Sequence, residues 1–337
     1  ICDRISDAIL DECLRQDPES RVAVETMGGH GNVFVTGEIT SNARLDIPAI
    51  VLRTYGKEIA VTVNISKQSN FIAQGVNSGG AGDQGIMVGY ACNDNPEMVP
   101  QELYLARNLC QEIFKVFPYD GKTQVTLEDG TIKTIVASFQ NAPTKELQRI
   151  IKGWLRINSY GDDSVTMHCN PAGEWSKGGF DADAGLTGRK LVVDNYGPRI
   201  PIGGGAFSGK DATKVDRSAA YMARRIAVDA LQKLSTDSPH EVYVYLAYAI
   251  GYDQPVQATV IVDGEESAID GYDLSDIYFY FYNYLKNKIE NEKKSESYYY
   301  KIIERLCFYI NEIYNGNFDK FVINLFTFDI YEIIHPK

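Results

Sequence analysis

The 337-residue sequence contains no apolar run approaching the roughly 20 residues that a bilayer-spanning helix needs. Positive charge is also scarce: 33 Lys and Arg stand against 45 Asp and Glu, a net charge of −12. A general nucleic-acid surface works by displacing counterions with a basic excess, so no nucleic-acid partner is expected. A local basic cluster for a small anion remains compatible with that total. The six cysteines (Cys2, Cys13, Cys92, Cys110, Cys169 and Cys307) form no CxxC pair. They read as reduced, mostly buried thiols, which points to the cytoplasm. The four histidines (His30, His168, His240 and His335) lack metal-ligand spacing and read as structural or exposed. No G-x-S-x-G elbow or local Cys/His signature occurs. If the chain is an enzyme, its chemistry is expected to need no protein nucleophile. The first ten residues, ICDRISDAIL, are charged throughout, so no secretory leader is expected. Because the chain opens at Ile1 rather than Met, a further segment upstream is expected.

With 44% hydrophobic and 23% charged residues, the chain can bury substantial cores and is long enough for two or three modest domains. Apolar spacing predicts a helix over residues 1–13, strands at 21–26 and 33–39, a helix opening after Asp46, and a strand over 59–65. A glycine-rich loop follows at 74–85. A strand at 86–91, a helix at 100–117, strands at 124–127 and 132–138 and a helix at 144–157 form a second unit whose order resembles the first. The third unit is expected to hold a strand at 190–195 and strands at 242–250 and 256–262. Between them lies a long helix striped by Val215, Ala219, Met222, Ala223, Ile226, Ala227, Ala230 and Leu231. Composition changes after about Gly271: the last 66 residues carry 11 of the 22 tyrosines and no alanine. Helical spacing of Ile302, Ile303, Leu306, Ile310 and Ile313 predicts helix there, with 286–294 a solvated charged stretch. The expected units are 1–75, 76–177 and 178–337.

Two glycine clusters invite familiar readings and fail both. GAGDQG at 80–85 matches G-x-G-x-x-G, but a polar loop precedes it and an apolar run follows, the reverse of a dinucleotide fold's strand-then-helix. Gly204 to Lys210 spells G-x-x-x-x-G-K, yet Asp211 stands where a P-loop needs Ser or Thr for Mg²⁺. The second stretch still suits phosphate, because glycines admit an anion close to the backbone. Ser208 or Asp211 is placed to cap the long helix, whose free N–H groups would face the loop. Lys210 and Lys214 lie there, while DAGLTGRK at 183–190 adds Arg189 and Lys190 after another glycine turn. Asp183, Asp211 and Asp216, interleaved among these cations, suggest a polyphosphate with a divalent metal, although surface ion pairs look the same in composition.

Six motifs in order resemble the methionine adenosyltransferase, or S-adenosylmethionine synthetase, family. They are ICDRISDAILD at the start, GEIT at 37–40, GAGDQG, DAGLTGRK, the 19-residue GGGAFSGKDATKVDRSAAY at 203–221, and YAIG at 248–251. The resemblance runs from Ile1 to about Pro255. It implies an α+β protein of three similar α/β domains with pseudo-threefold symmetry, and a divergent C-terminal region here. It implies attack by the methionine sulfur on C5′ of ATP, with the triphosphate then cleaved to pyrophosphate and phosphate. By resemblance, Lys122, Arg189, Lys190, Lys210 and Lys214 would act on the leaving group. Asp120, Trp175, Asp183, Ala206 and Ile250 would join Lys122, Arg189, Lys190 and Lys210 around ATP, with Trp175 in place of a stacking Phe. Glu38, Gln74, Asp83, Asp183 and Lys214 would meet methionine, Asp216 would bind Mg²⁺, and Glu25 would match a K⁺-linked glutamate. Two Mg²⁺ per site, K⁺, and a homodimer with shared sites or a tetramer are implied, and neither nucleic acid nor membrane.

The sequence departs from the family in several places. The family's GHPDK segment, with a second metal-binding aspartate, would lie upstream of Ile1. The 74–83 loop is shorter than the usual lid, HGNVF after Gly29 replaces a lysine-containing run, and the family's closing motif is absent from the tail. An inactive binding or regulatory homologue, and a kinase releasing ADP, remain as alternatives at this stage.

Overall fold

The computed structural model describes residues 1–68, 80–161, 164–235, 237–269, 271–272 and 274. Three hydrophobic cores organise them, each made of helices packed on a β-sheet. In the first, α1 (Cys2–Gln16) buries Ile5, Ile9 and Cys13 against Val22, Val24, Val33 and Val35. Those valines lie on β1 (Arg21–Gly29) and β2 (Asn32–Thr40), joined through His30 and Gly31. Both turn residues have positive φ, 49° and 83°, the geometry of a two-residue hairpin turn matched to strand twist. His30 is thus a turn residue. Asp46 caps α2 (Ile47–Tyr55) by accepting from the Ala49 N–H at 3.0 Å. β3 (Ala60–Ser66) then returns parallel to β2.

The second unit repeats this order, helix, hairpin, helix and parallel strand. β4 (Gly85–Cys92) and α3 (Gln101–Phe114) lead into β5 (Gly121–Glu128) and β6 (Thr131–Phe139), which form an antiparallel hairpin. α4 (Thr144–Ile157) follows, and β7 (Thr166–Cys169) pairs parallel to β6. Leu109, Ile113, Ile135, Phe139, Leu147, Ile151 and Leu155 fill its core.

The expected strand at 190–195 is a correction. Residues 185–186 form β8, but Leu191–Asp194 is a short helix, α5. Val192 and Val193 are exposed there. Local bonds close the turn instead: Asp194 N–H reaches Lys190 O at 2.9 Å and the Asn195 amide reaches Leu191 O at 2.8 Å. Arg107 from α3 then caps it, donating to the carbonyls of Val193, Asp194 and Asn195 at 2.5 to 3.0 Å. A β-branched run becomes strand only where a partner edge is offered.

α6 (Val215–Leu231) is the long helix. Its stripe of Ala219, Ala223 and Ala227 lies over β4, and a Cβ added at Gly89 would fall 2.1 Å from the Ala223 carbonyl carbon. The helix and sheet therefore meet backbone to backbone. β9 (Glu241–Tyr248), β10 (Gln257–Val262) and β11 (Glu265–Ala268) complete a sheet ordered β11-β10-β9-β4. β4 precedes α3 in sequence but pairs along its whole length with β9, so the sheet draws on the chain on both sides of the second core. Among the described residues no helix is long and apolar enough to cross a membrane. The helix expected around 302–313 and the stretch 286–294 lie outside the described residues. Five cysteines are free and buried, and Cys307 also lies outside.

Candidate functional site

The first sheet is ordered β3-β2-β1-β8, and the free edge of β1 receives two glycine-lined segments in line. Gly185 and Leu186 pair with Gly28 and Met27, and Thr187 N–H continues the ladder to Thr26 O at 2.9 Å. Further along, Val24 N–H donates to Gly209 O at 3.1 Å and Asp211 N–H to Val22 O at 3.0 Å. Lys210 thereby forms a bridge opposite Ala23, whose other neighbour across the sheet is Glu38. Cross-strand neighbours share a face, so Lys210, Ala23 and Glu38 form one row, and Glu25 lies on the same face.

The two glycine turns also touch. Gly188 has φ +67°, and a Cβ there would lie 2.3 Å from the Ala206 Cβ. Gly209 has φ +78°, and a Cβ there would lie 2.2 Å from Val24 O. Neither position has room for a side chain. The structure therefore brings together the Gly188–Arg189–Lys190 turn and the loop carrying Ala206, Lys210, Lys214 and Asp216. Arg189 and Lys190 are exposed beside that contact, and the Arg189 guanidinium donates to Ala184 O at 3.1 Å. The Lys210 ammonium is 2.6 Å from an Asp216 carboxylate oxygen, and Lys214 is 3.2 Å from Asp211.

Neither expected cap is made. Lys214 occupies the cap position of α6 and makes no side-chain cap bond. Asp211 is buried and instead accepts from Val22 N–H at 2.6 Å, Thr213 N–H at 2.9 Å and the Thr213 hydroxyl at 2.6 Å. It locks the loop to β1 four residues before the helix opens. The apolar stripe of α6 is broader than expected and takes in Arg217 and Arg224 as buried charges.

Other expected residues group separately. Asp83 and Ile250 sit on abutting loops: Ala81 N–H reaches Tyr252 O and Gly251 N–H reaches Ala81 O, both at 2.7 Å. Ile250 is 55% exposed at that tip. Asp120 accepts from Gly179 N–H at 2.9 Å, just before exposed Lys122 on β5. Trp175 is half-buried, belongs to none of the three cores, and accepts from Asn141 N–H through its carbonyl. Asp183 is exposed and turns back to its neighbour's N–H at Ala184. Gln74 lies outside the described residues.

Sequence reasoning missed the support beneath the glycine turns. On α1, Asp3 accepts from Gly188 N–H at 2.8 Å and Asp7 from Gly209 N–H at 2.9 Å. Between them the Ser6 hydroxyl meets Thr187 and Thr26 at 2.8 and 2.9 Å. Arg217 bonds Asp7 and the Lys210 carbonyl at 3.1 and 3.0 Å. The signal was available as polar residues at i, i+3 and i+4, Asp3, Ser6 and Asp7, flanking the apolar Ile5, Ile9 and Cys13.

Among the described residues no three His, Cys, Asp or Glu side chains converge on a metal position. Mg²⁺ commonly takes only one or two carboxylates, with phosphate oxygens and water completing its shell. Asp216, against Gly205 at the lip of the loop, fits that pattern for a phosphate-bound ion. Glu25 offers one exposed oxygen ligand.

Comparison with known proteins agrees with the motifs. The N-terminal domain of S-adenosylmethionine synthetase matches residues 1–76, the central domain 78–175 and the C-terminal domain 177–315. The last match runs well past the change in composition near residue 272. An S-adenosylmethionine synthase of Clostridium tetani is 42% identical over 308 residues, covering 77% of this chain and 78% of the relative. One from Kosmotoga olearia is 43% identical over 298 residues, covering 74% and 75%.

Proposed function

The chain belongs to the S-adenosylmethionine synthetase family, and on that premise we propose how its residues carry out the synthesis of S-adenosylmethionine from ATP and L-methionine. The observation that carries the reading is the meeting of two glycine turns on one strand edge, with Arg189, Lys190, Lys210 and Lys214 at their rims. A lone pair on the methionine sulfur forms the new bond to C5′. The C5′–O bond breaks, and its electrons leave with the triphosphate. Sulfur becomes a sulfonium and no proton is transferred, so no general base is required. Water then cleaves the triphosphate to pyrophosphate and phosphate.

Rate enhancement comes from alignment and from cations placed where charge grows on the leaving group. Lys210 and Arg189 serve the phosphate chain, with Lys190 and Lys122 joining them, and Lys214 lies toward the sulfur end. Trp175 and Ile250 are assigned to adenine, and Asp120, Asp183 and Ala206 to the same nucleotide. Glu38, Gln74 and Asp83 serve the amino acid. Mg²⁺, when bound, supplies further charge neutralisation on the phosphates through Asp216, and K⁺ is assigned to Glu25.

The open face of the first sheet supports the reading of a homodimer or larger assembly. Met27, Phe34 and Leu186 are register neighbours there and are 47%, 46% and 41% exposed. A contiguous apolar patch beside charged groups suits a subunit contact. The site and its soluble substrates suit the cytoplasm. Incubation with ATP, Mg²⁺, K⁺ and methionine tests the reading by its products. A sulfonium that requires both substrates, with pyrophosphate and phosphate, is expected. ADP alone, or no turnover, overturns it.

A further inference from the structure

Lys210 and Arg189 come from turns about twenty residues apart in sequence, yet each turn hangs from the same face of α1. Asp3, Ser6 and Asp7 occupy that face. Asp3 holds Gly188 N–H, Ser6 holds the Thr187 hydroxyl, and Asp7 holds Gly209 N–H. Asp3 and Asp7 are one helical turn apart, about 6 Å along the axis. The helix itself is pinned by Ile5, Ile9 and Cys13, all fully buried. Both glycine turns are thus referred to one rigid ruler. Asp7 does more than accept one bond. Its Oδ1 also takes Arg217 Nη1 at 3.1 Å, and the same nitrogen donates to the Lys210 carbonyl at 3.0 Å. The Arg217 side chain is only 3% exposed, and its Nε donates to the Tyr221 hydroxyl at 3.2 Å. The residues on either side of the Lys210 Cα, Gly209 and the Lys210 carbonyl, are therefore both held through Asp7.

We propose that Asp3 and Asp7 are positioning residues that set the spacing of the two phosphate-gripping turns, Asp7 acting through Gly209 and Arg217 on Lys210, and Asp3 acting through Gly188 on Arg189. They touch no substrate. The inference rests on the assignment of the polyphosphate to these turns. It requires that loss of either carboxylate weaken the grip on polyphosphate more than the grip on methionine, because Glu38 on β2 and Asp83 on the 80–85 loop are carried by elements other than the two suspended turns.

Hydrolysis of added inorganic tripolyphosphate, followed beside S-adenosylmethionine synthesis, tests this. The variants are Asp3→Ala, Asp7→Ala and Asp7→Asn, with Asp46→Ala as control, since Asp46 caps α2 and bonds neither turn. Loss of one charge-assisted bond predicts a rise of about tenfold in the tripolyphosphate KM for both α1 alanine variants. The methionine KM should stay within about twofold. Asp7→Asn keeps an acceptor for Gly209 and should recover most of the loss. Asp46→Ala should lower Tm and leave both KM values in place. Should Asp7→Ala not fold, Asp3→Ala decides by the same criterion. An unchanged tripolyphosphate KM, an equal rise for methionine, or the same pattern in Asp46→Ala overturns the proposal. Absence of tripolyphosphate hydrolysis and of sulfonium formation in the unaltered protein overturns the proposed function instead.

Discussion

The Lys210 ammonium lies 2.6 Å from the Asp216 carboxylate, with both side chains largely buried at 17% and 16% exposure. The pair joins the glycine loop to the first turn of α6. It also holds a cation and its counter-charge at the place where the triphosphate is proposed to bind. On the proposed function, phosphate oxygens would take the lysine and Mg²⁺ the aspartate.

Lys210→Ala should therefore lower kcat about 100-fold or more, as loss of a preorganised charge on a leaving group does. The far-UV spectrum should stay unchanged. Asp216→Asn should raise the Mg²⁺ concentration needed for half-maximal rate. Steady-state kinetics across a Mg²⁺ titration check both, and unchanged turnover in Lys210→Ala removes Lys210 from the mechanism.

Gly188→Ala should impair the site by a different route. The added Cβ meets Ala206 at 2.3 Å and the residue sits at φ +67°. The combined clash and strain should cost about 1–3 kcal/mol. Adding Ala206→Gly relieves the clash but not the strain, so the double variant should recover part of the lost Tm. Thermal melts of the three variants check this, and a double variant no better than the single places the cost elsewhere.

Asp11 continues the Asp3–Asp7 series by one more turn of α1. Burial first, and then the neighbouring Asp7, push its carboxyl up to about 8. In the unfolded chain it titrates near 4. Below that value both states are protonated and its contribution to stability is complete. As pH rises from about 4 to about 8 the unfolded chain ionises first, and the contribution is lost. Asp11→Asn removes that loss. The Tm advantage of the variant over the parent should grow between pH 5 and pH 8, and a constant difference would contradict the assignment.

The cysteines should be unreactive while the chain is folded. Burial pushes the Cys13 thiol up to about 12 and those of Cys92 and Cys110 to about 11, which leaves almost no thiolate at pH 8. In a Cys307→Ser background, Ellman's reagent should titrate none of the remaining five rapidly until denaturant is added. Fast reaction of any of the five in the native protein would show that its pocket opens.

Much of the fold was legible because it rests on local pattern. Apolar spacing on α1 and α6 marked the faces that became core. Asp46 marked a helix start that the structure keeps. The strand at 190–195 misled, because β-branched residues report a preference and not the presence of a partner edge. Val192 and Val193 ended on an exposed turn of helix under Arg107. Asp211 misled for a related reason: its capping chemistry was real but was spent on Val22 N–H and Thr213, one turn before the helix.

The glycine turns and their cations were written in the sequence, since only glycine fits φ near +70° against a neighbouring backbone and only Lys and Arg supply the charge. Which turns meet was decided by tertiary structure. Long-range pairing is chosen by free edges and buried faces, which no local window contains. β1 offers one edge long enough for both segments, and α1 offers one face whose carboxylates reach both. Through that pairing, residues near 3, 24, 188 and 210 are brought together.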